Sequence, residues 1–207
     1  MVEEKERAYE LKSAFETVGM YKEWWANPAV LGLMGFALTT MATGLHHAGL
    51  WGGGPTLALA IAFGGTAQFI AGVIDFRKGS IFGGTAFSSY GAFWWAVFFL
   101  AFVLPTAGVK VTAMDEFGFF LMWTLFTFAF CLAVFKVGKF LTALFWLLFI
   151  AFCLLSAFTY GVATGADMSG FRVGMGWEIF ITGLLAWYIA MAELVNTVWG
   201  RQVLPLS

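Results

Sequence analysis

The chain has 207 residues, of which 61% are hydrophobic, 19% aromatic and only 11% charged, with a formal net charge of −1. That balance excludes an ordinary soluble domain, and the lack of any basic cluster excludes nucleic acid as a partner. Long continuous apolar runs, in place of the ten-residue alternation of a transmembrane barrel, predict an all-α membrane protein.

Residues 1–26 carry apolar positions at Ala8, Leu11, Phe15, Val18 and Trp25 at helical spacings, with acids and bases between them. This pattern predicts an amphipathic helix lying on the membrane surface, with Trp24 and Trp25 at headgroup level. Six acids in the segment argue against a secretory signal. Asn27 and Pro28 then supply a cap and a first-turn residue for the first span.

Spans are expected over about 28–50, 56–74, 81–104, 117–135, 140–160 and 176–198, giving a six-helix transmembrane domain over 27–200 and a tail over 201–207. The loop Trp51-Gly-Gly-Gly-Pro55 separates the first two spans, a charged turn at 75–79 separates the second from the third, and Pro105 is expected to stop the third. With the N-terminus inside, nine Lys and Arg fall on the cytoplasmic side and two, Lys110 and Arg172, fall outside. Both chain ends are therefore expected in the cytoplasm, in the plasma membrane.

Several polar residues sit where lipid-facing helices should have none. In the second span Gly64, Gln68, Ala71 and Asp75 share a face, and in the first Gly32, Phe36, Thr40 and Thr43 do so. The third adds Ser89 and Tyr90, and the sixth aligns Ala186, Ala190, Glu193 and Asn196. Each hydroxyl taken alone reads equally as a group bonding its own helix backbone, whereas Gln68 and Glu193 point more strongly to a cavity or partner.

The word Phe-Gly-Gly-Thr-Ala occurs at 63–67 and 82–86 and reads as shared packing chemistry. Cys131 and Cys153 read as small buried apolar residues, and His46 and His47 as a solvated pair at the outer end of the first span, with proton handling as the sharper alternative. No catalytic triad, metal-ligand motif, phosphate loop or cofactor motif is present, so neither an enzyme nor a cofactor is expected. A line of amides and hydroxyls without buried Lys or Arg suits a small monocarboxylic acid, whose protonation removes most of the cost of burial.

The words Asn27-Pro28-Ala29-Val30-Leu31-Gly32-Leu33, Ala67-Gln68, Arg77-Lys78-Gly79, Thr85-Ala86-Phe87-Ser88-Ser89-Tyr90-Gly91 and the stretch Tyr188 to Asn196 followed by Gly200-Arg201 and Val203-Leu204-Pro205 resemble the acetate uptake transporters, also called succinate–acetate permeases. Val30 stands where the family pattern has a second proline, and the fourth and fifth spans match mainly in pattern. The resemblance implies a homo-hexamer with a separate path for acetate, and for succinate, through each protomer. It implies a hydrophobic constriction that falls here on Phe36, Tyr90 and Leu148, and a small helix-six position at Ala186 that influences solute size. Asn27 belongs to the signature motif, where capping and solute contact are both open roles. Gln68, Ser89 and Thr40 are expected to offer hydrogen bonds beside the constriction, with Glu193 and Asn196 on the polar line of the sixth span. An anion channel and a proton-coupled transporter are both compatible with this reading. Alternatives from other classes are a carboxylate sensor signalling through the N-terminal helix and a channel for a neutral small solute.

Overall fold

The computed structural model describes residues 25–206, so the amphipathic segment expected over 1–26 lies outside the described residues except for Trp25 and Ala26. Six helices are long and apolar enough to cross a membrane, and no strand occurs among the described residues. They are α1 (Ala29–His47), α2 (Gly54–Arg77), α3 (Ile81–Thr106), α4 (Ala113–Lys136), α5 (Lys139–Ala163) and α6 (Ser169–Trp199). In a bilayer every backbone polar group must be paired within the chain, and continuous helices meet that demand.

Two helices contain a π turn, Ala62–Ala67 in α2 and Phe99–Val103 in α3. The second lies just ahead of Pro105, and α3 ends at Thr106, within a residue of the expected stop. Two other helices begin earlier than hydropathy suggests. At α4, Thr112 and Asp115 form a capping box in which the Asp115 N–H donates to Thr112 Oγ1 at 3.2 Å and the Thr112 N–H donates to Asp115 Oδ2 at 2.8 Å.

At α6 the helix starts at Ser169, seven residues before the expected position, and carries Arg172 inside its first turns. Asp167 accepts the Ser169 N–H at 3.0 Å, and this bond holds the Asp167 carboxyl below its ordinary range. At 31 residues α6 is about 46 Å long, more than a hydrocarbon core requires.

The strongest helix pairings are α1 with α6, α2 with α3, α4 with α5 and α1 with α2, followed by α5 with α6. This order traces a ring α3–α2–α1–α6–α5–α4, closed between α3 and α4 by side chains such as Tyr90 and Thr127. Glycines set the close pairs. A Cβ on Gly44 would lie 2.6 Å from the Gly176 carbonyl oxygen, and one on Gly183 would lie 2.8 Å from the Met41 nitrogen. Backbone thus meets backbone along the α1–α6 seam.

The two copies of Phe-Gly-Gly-Thr-Ala do different work: the first forms most of the α2 π turn against Thr39 and Trp94, and the second sits in the first turns of α3 against Asp75 and Phe76. Both cysteines are free, and the buried Cys131 thiol donates to the Phe145 carbonyl at 3.3 Å.

Replacing Gly44 by Val should push α6 away from α1. The expected cost is about 1–3 kcal/mol, typical of overpacking, read as a lower melting temperature of the purified protein in detergent; an unchanged melting temperature would refute the backbone contact.

Candidate functional site

Two cavities lie inside the ring, and Phe36 of α1 and Leu148 of α5 line both. The larger, about 390 Å³, opens toward the end of the bundle away from the chain termini and is lined mainly by α1, α2, α3 and α5. The smaller, about 240 Å³, lies toward the termini. Phe36 and Leu148, both buried, therefore form the neck between them. The neck carries no polar atom, so a solute passing it gives up its water without replacement.

Tyr90 stands beside the neck on the side of the smaller cavity, its ring edge-on to Phe36 with centroids 6.1 Å apart. It also packs on Trp123, Phe126, Phe130, Phe145 and Phe152. Its hydroxyl is 2.8 Å from Thr127 Oγ1 of α4. The phenol oxygen is thereby paired with α4, and the Tyr90 ring lies at the cavity wall.

The hydroxyls of α1 divide cleanly. Thr39 Oγ1 donates to the Gly35 carbonyl and Thr43 Oγ1 to the Thr39 carbonyl, both at 2.8 Å, the self-bonding habit of helical threonines. Thr40 Oγ1 is buried and has no partner, and it faces the larger cavity. Thr56 Oγ1 of α2 and Trp94 Nε1 of α3 line the same cavity, are equally buried and are equally unpartnered. Three residues that each carry a neutral, unpartnered donor therefore line one cavity, together with Glu116 of α4, His46 and His47. A buried polar group without a partner costs free energy, so such groups in a cavity wall are positioned for a ligand.

His46 and His47 are part of this site's mouth, not a loop. His47 lines the larger cavity and meets Phe158 with centroids 6.1 Å apart, and its Nδ1 is unpartnered. His46 Nδ1 bonds the Trp51 carbonyl at 3.1 Å, and its Nε2 lies 3.5 Å from Arg172 Nη2.

On the smaller cavity, Gln68 and Asp75 of α2 face inward as their shared helix face predicts. Asn27 lines the same space and does two structural jobs, accepting the Ala29 N–H at 3.0 Å and donating to Glu193 Oε1 at 3.0 Å.

Of the ten residues singled out from the sequence, six line a cavity: Phe36, Tyr90, Leu148, Asn27, Thr40 and Gln68. Four do not. Ser89 is half-buried on another face of α3, Ala186 is fully buried in helix packing, and Glu193 touches the smaller cavity only through Asn27. Asn196 clasps the C-terminal tail, accepting the N–H of Val203 and Leu204 and donating to the Leu204 carbonyl at 2.8 Å.

Sequence reasoning missed Thr56, Trp94 and Glu116, all three of which line the larger cavity. Thr56 reads as the start of a span and Trp94 as an apolar residue, while Glu116 lies just before the expected fourth span, in the first turn that the Thr112–Asp115 capping box adds.

The family model described as the GPR1/FUN34/yaaH family matches residues 11–205. The chain belongs to this family. Among GPR1/FUN34/yaaH relatives, the succinate-acetate/proton symporter SatP of Escherichia coli is 38% identical over 185 residues, covering 88% of this chain and 95% of that protein. Acetate permease A of Emericella nidulans is 33% identical over 212 residues, covering 91% of this chain and 70% of that protein. The solved structure of the bacterial acetate channel SatP superposes with a TM-score of 0.81 at 36% identity, over 88% of this chain and 99% of that one. The GPR1/FUN34/yaaH match and the six apolar helices make this a multi-pass membrane protein.

Tyr90→Phe tests the hydroxyl assignment. It leaves Thr127 Oγ1 buried without a partner, at a cost of about 1–3 kcal/mol, while the cavity wall keeps its ring. The expected result is a lower melting temperature with solute flux retained; loss of flux at unchanged stability would return the hydroxyl to the path.

Proposed function

We propose that the protein carries acetate and similar small carboxylates across a membrane, through a path that joins the two cavities within each protomer. The observation that carries this reading is the pair of cavities meeting at Phe36 and Leu148, with the unpartnered Thr40, Thr56 and Trp94 among the residues lining the larger one. Three neutral donors suit one carboxylate: they bind its oxygens without the full charge of a Lys or Arg, which would hold the anion too tightly to release it. The apolar neck favours a small solute with a methyl group over a large or strongly hydrated one. Relatives named as an acetate channel, an acetate permease and a succinate-acetate/proton symporter support the same chemistry.

The proposal includes three finer points. The path residues are Phe36, Tyr90 and Leu148 at the neck, with Thr40, Gln68 and Asn27 lining the cavities on either side. The excess of Lys and Arg at the termini end supports both ends in the cytoplasm, with the larger cavity facing out. Assembly as a homo-hexamer in the plasma membrane follows the resemblance noted above.

The test is uptake of labelled acetate and of larger monocarboxylates into liposomes holding the purified protein, with empty liposomes subtracted. Phe36→Ala and Leu148→Ala should each admit longer-chain acids several-fold faster relative to acetate. Unchanged rates and chain-length preference in both variants would defeat the neck assignment.

A further inference from the structure

The smaller cavity holds a carboxylate that the neck and the donor site leave without a task. Asp75 lies on α2, is only 7% exposed, lines the cavity and accepts no hydrogen bond to its side chain from any of the described residues. The helix α3 comes so close that a Cβ on Gly83 would collide with the Asp75 carboxylate, so glycine there keeps space for it.

Two turns away on the same face stands Gln68, 1% exposed, its Oε1 buried and unpartnered. Seven residues of helix place these groups about 10 Å apart along the axis. The cavity wall thus carries an amide side chain near the neck and a negative charge near the exit.

One cation, Lys78, is near enough to offset part of the Asp75 charge, and its ammonium is hydrogen-bonded elsewhere. Lys78, from the turn after α2, donates to the Trp25 and Ala26 carbonyls at 2.7 and 3.3 Å. Arg77 precedes it and is exposed. From α3 the cavity receives only Ser80, Phe82, Gly83, Ala86, Phe87 and Tyr90, none of them cationic. Glu193 of α6 adds a second acid behind Asn27. Lys136 and Lys139 flank Val137 at the α4–α5 turn, and of the three only Val137 lines the cavity.

We propose that Asp75 is a specificity residue that sets the preference for monocarboxylates over dicarboxylates, by repelling a second carboxylate group in the smaller cavity. This inference rests on the transport reading. A monocarboxylate accepts from the Gln68 Nε2 amide group and meets the Asp75 charge once, at the far end of a space of about 240 Å³. A dicarboxylate brings a second negative charge into the same space and meets Asp75 twice. At an effective dielectric constant of about 20, one like charge about 10 Å away discriminates by roughly tenfold. Removing the Asp75 charge should therefore speed both solutes, and the dicarboxylate by one further factor of that size.

The experiment compares uptake of labelled acetate and labelled succinate into liposomes containing the full chain, wild type or Asp75→Asn, at equal pH on both sides. The expected result is a succinate-to-acetate ratio about tenfold higher in the variant, with acetate uptake at least as fast as in wild type. Asp75→Ser, which removes the charge with a smaller side chain, carries the same comparison if Asp75→Asn does not fold. A merely structural role would slow both solutes together and leave the ratio unchanged. An unchanged or lowered ratio overturns the proposal. Wild-type protein that moves acetate no faster than empty liposomes would instead overturn the transport reading itself.

Discussion

The backbone contact between α1 and α6 is the constraint from which the rest follows. Gly44, Gly176 and Gly183 let the two helices meet without side chains between them, which fixes the depth and rotation of α1 in the ring. On its other side α1 meets α2 through a second close approach, where a Cβ on Gly35 would lie 2.7 Å from the Phe63 carbonyl oxygen. A helix held this closely on both sides has one face left for the interior, the face that carries Phe36 and Thr40. In lipid, where apolar burial between helices supplies little net drive, such packing is what specifies the arrangement.

The division between the cavities has the same origin. The aromatic cluster around Tyr90 fills the gap between α3 and α4, where no backbone approach comparable to the glycine seams exists. Large rings span that gap and leave the neck walled by hydrocarbon. The polar groups are displaced to either side, donors beyond the neck and Gln68 with Asp75 before it. Chemistry and geometry thus separate along the path: the middle selects by size and dryness, the chambers by hydrogen bonding and charge.

Much of the fold was legible in the sequence because six long apolar runs have only one economical solution in a bilayer. The inward face of Gln68, Ala71 and Asp75 was legible from spacing alone, and all three are buried. Helix ends were less so: hydropathy does not register the Thr112–Asp115 capping box or the early start of α6 at Ser169. The site was legible at Phe36, Tyr90 and Leu148 through family resemblance, and at Gln68 through its cost of burial. Thr40 was singled out from the sequence, but spacing could not show that it alone among its neighbours lacks a backbone partner, since Thr39 and Thr43 each bond their own helix. Nor could Asn196 be separated from a path residue, because its partners lie in a tail whose return is a tertiary event.

The π turn of α2 has a geometric consequence for both chambers. Thr56 and Gln68 are twelve residues apart, a separation that in an unbroken α-helix would set them about 120° apart around the axis. Both nevertheless face the interior, one toward each chamber. The wider turn at Ala62–Ala67 takes up the extra residue and brings the two halves of the helix back into phase. A single helix thereby serves two chambers with two reading frames, and the change of frame falls on residues small enough, Gly64 and Gly65, for α1 and α3 to close around it.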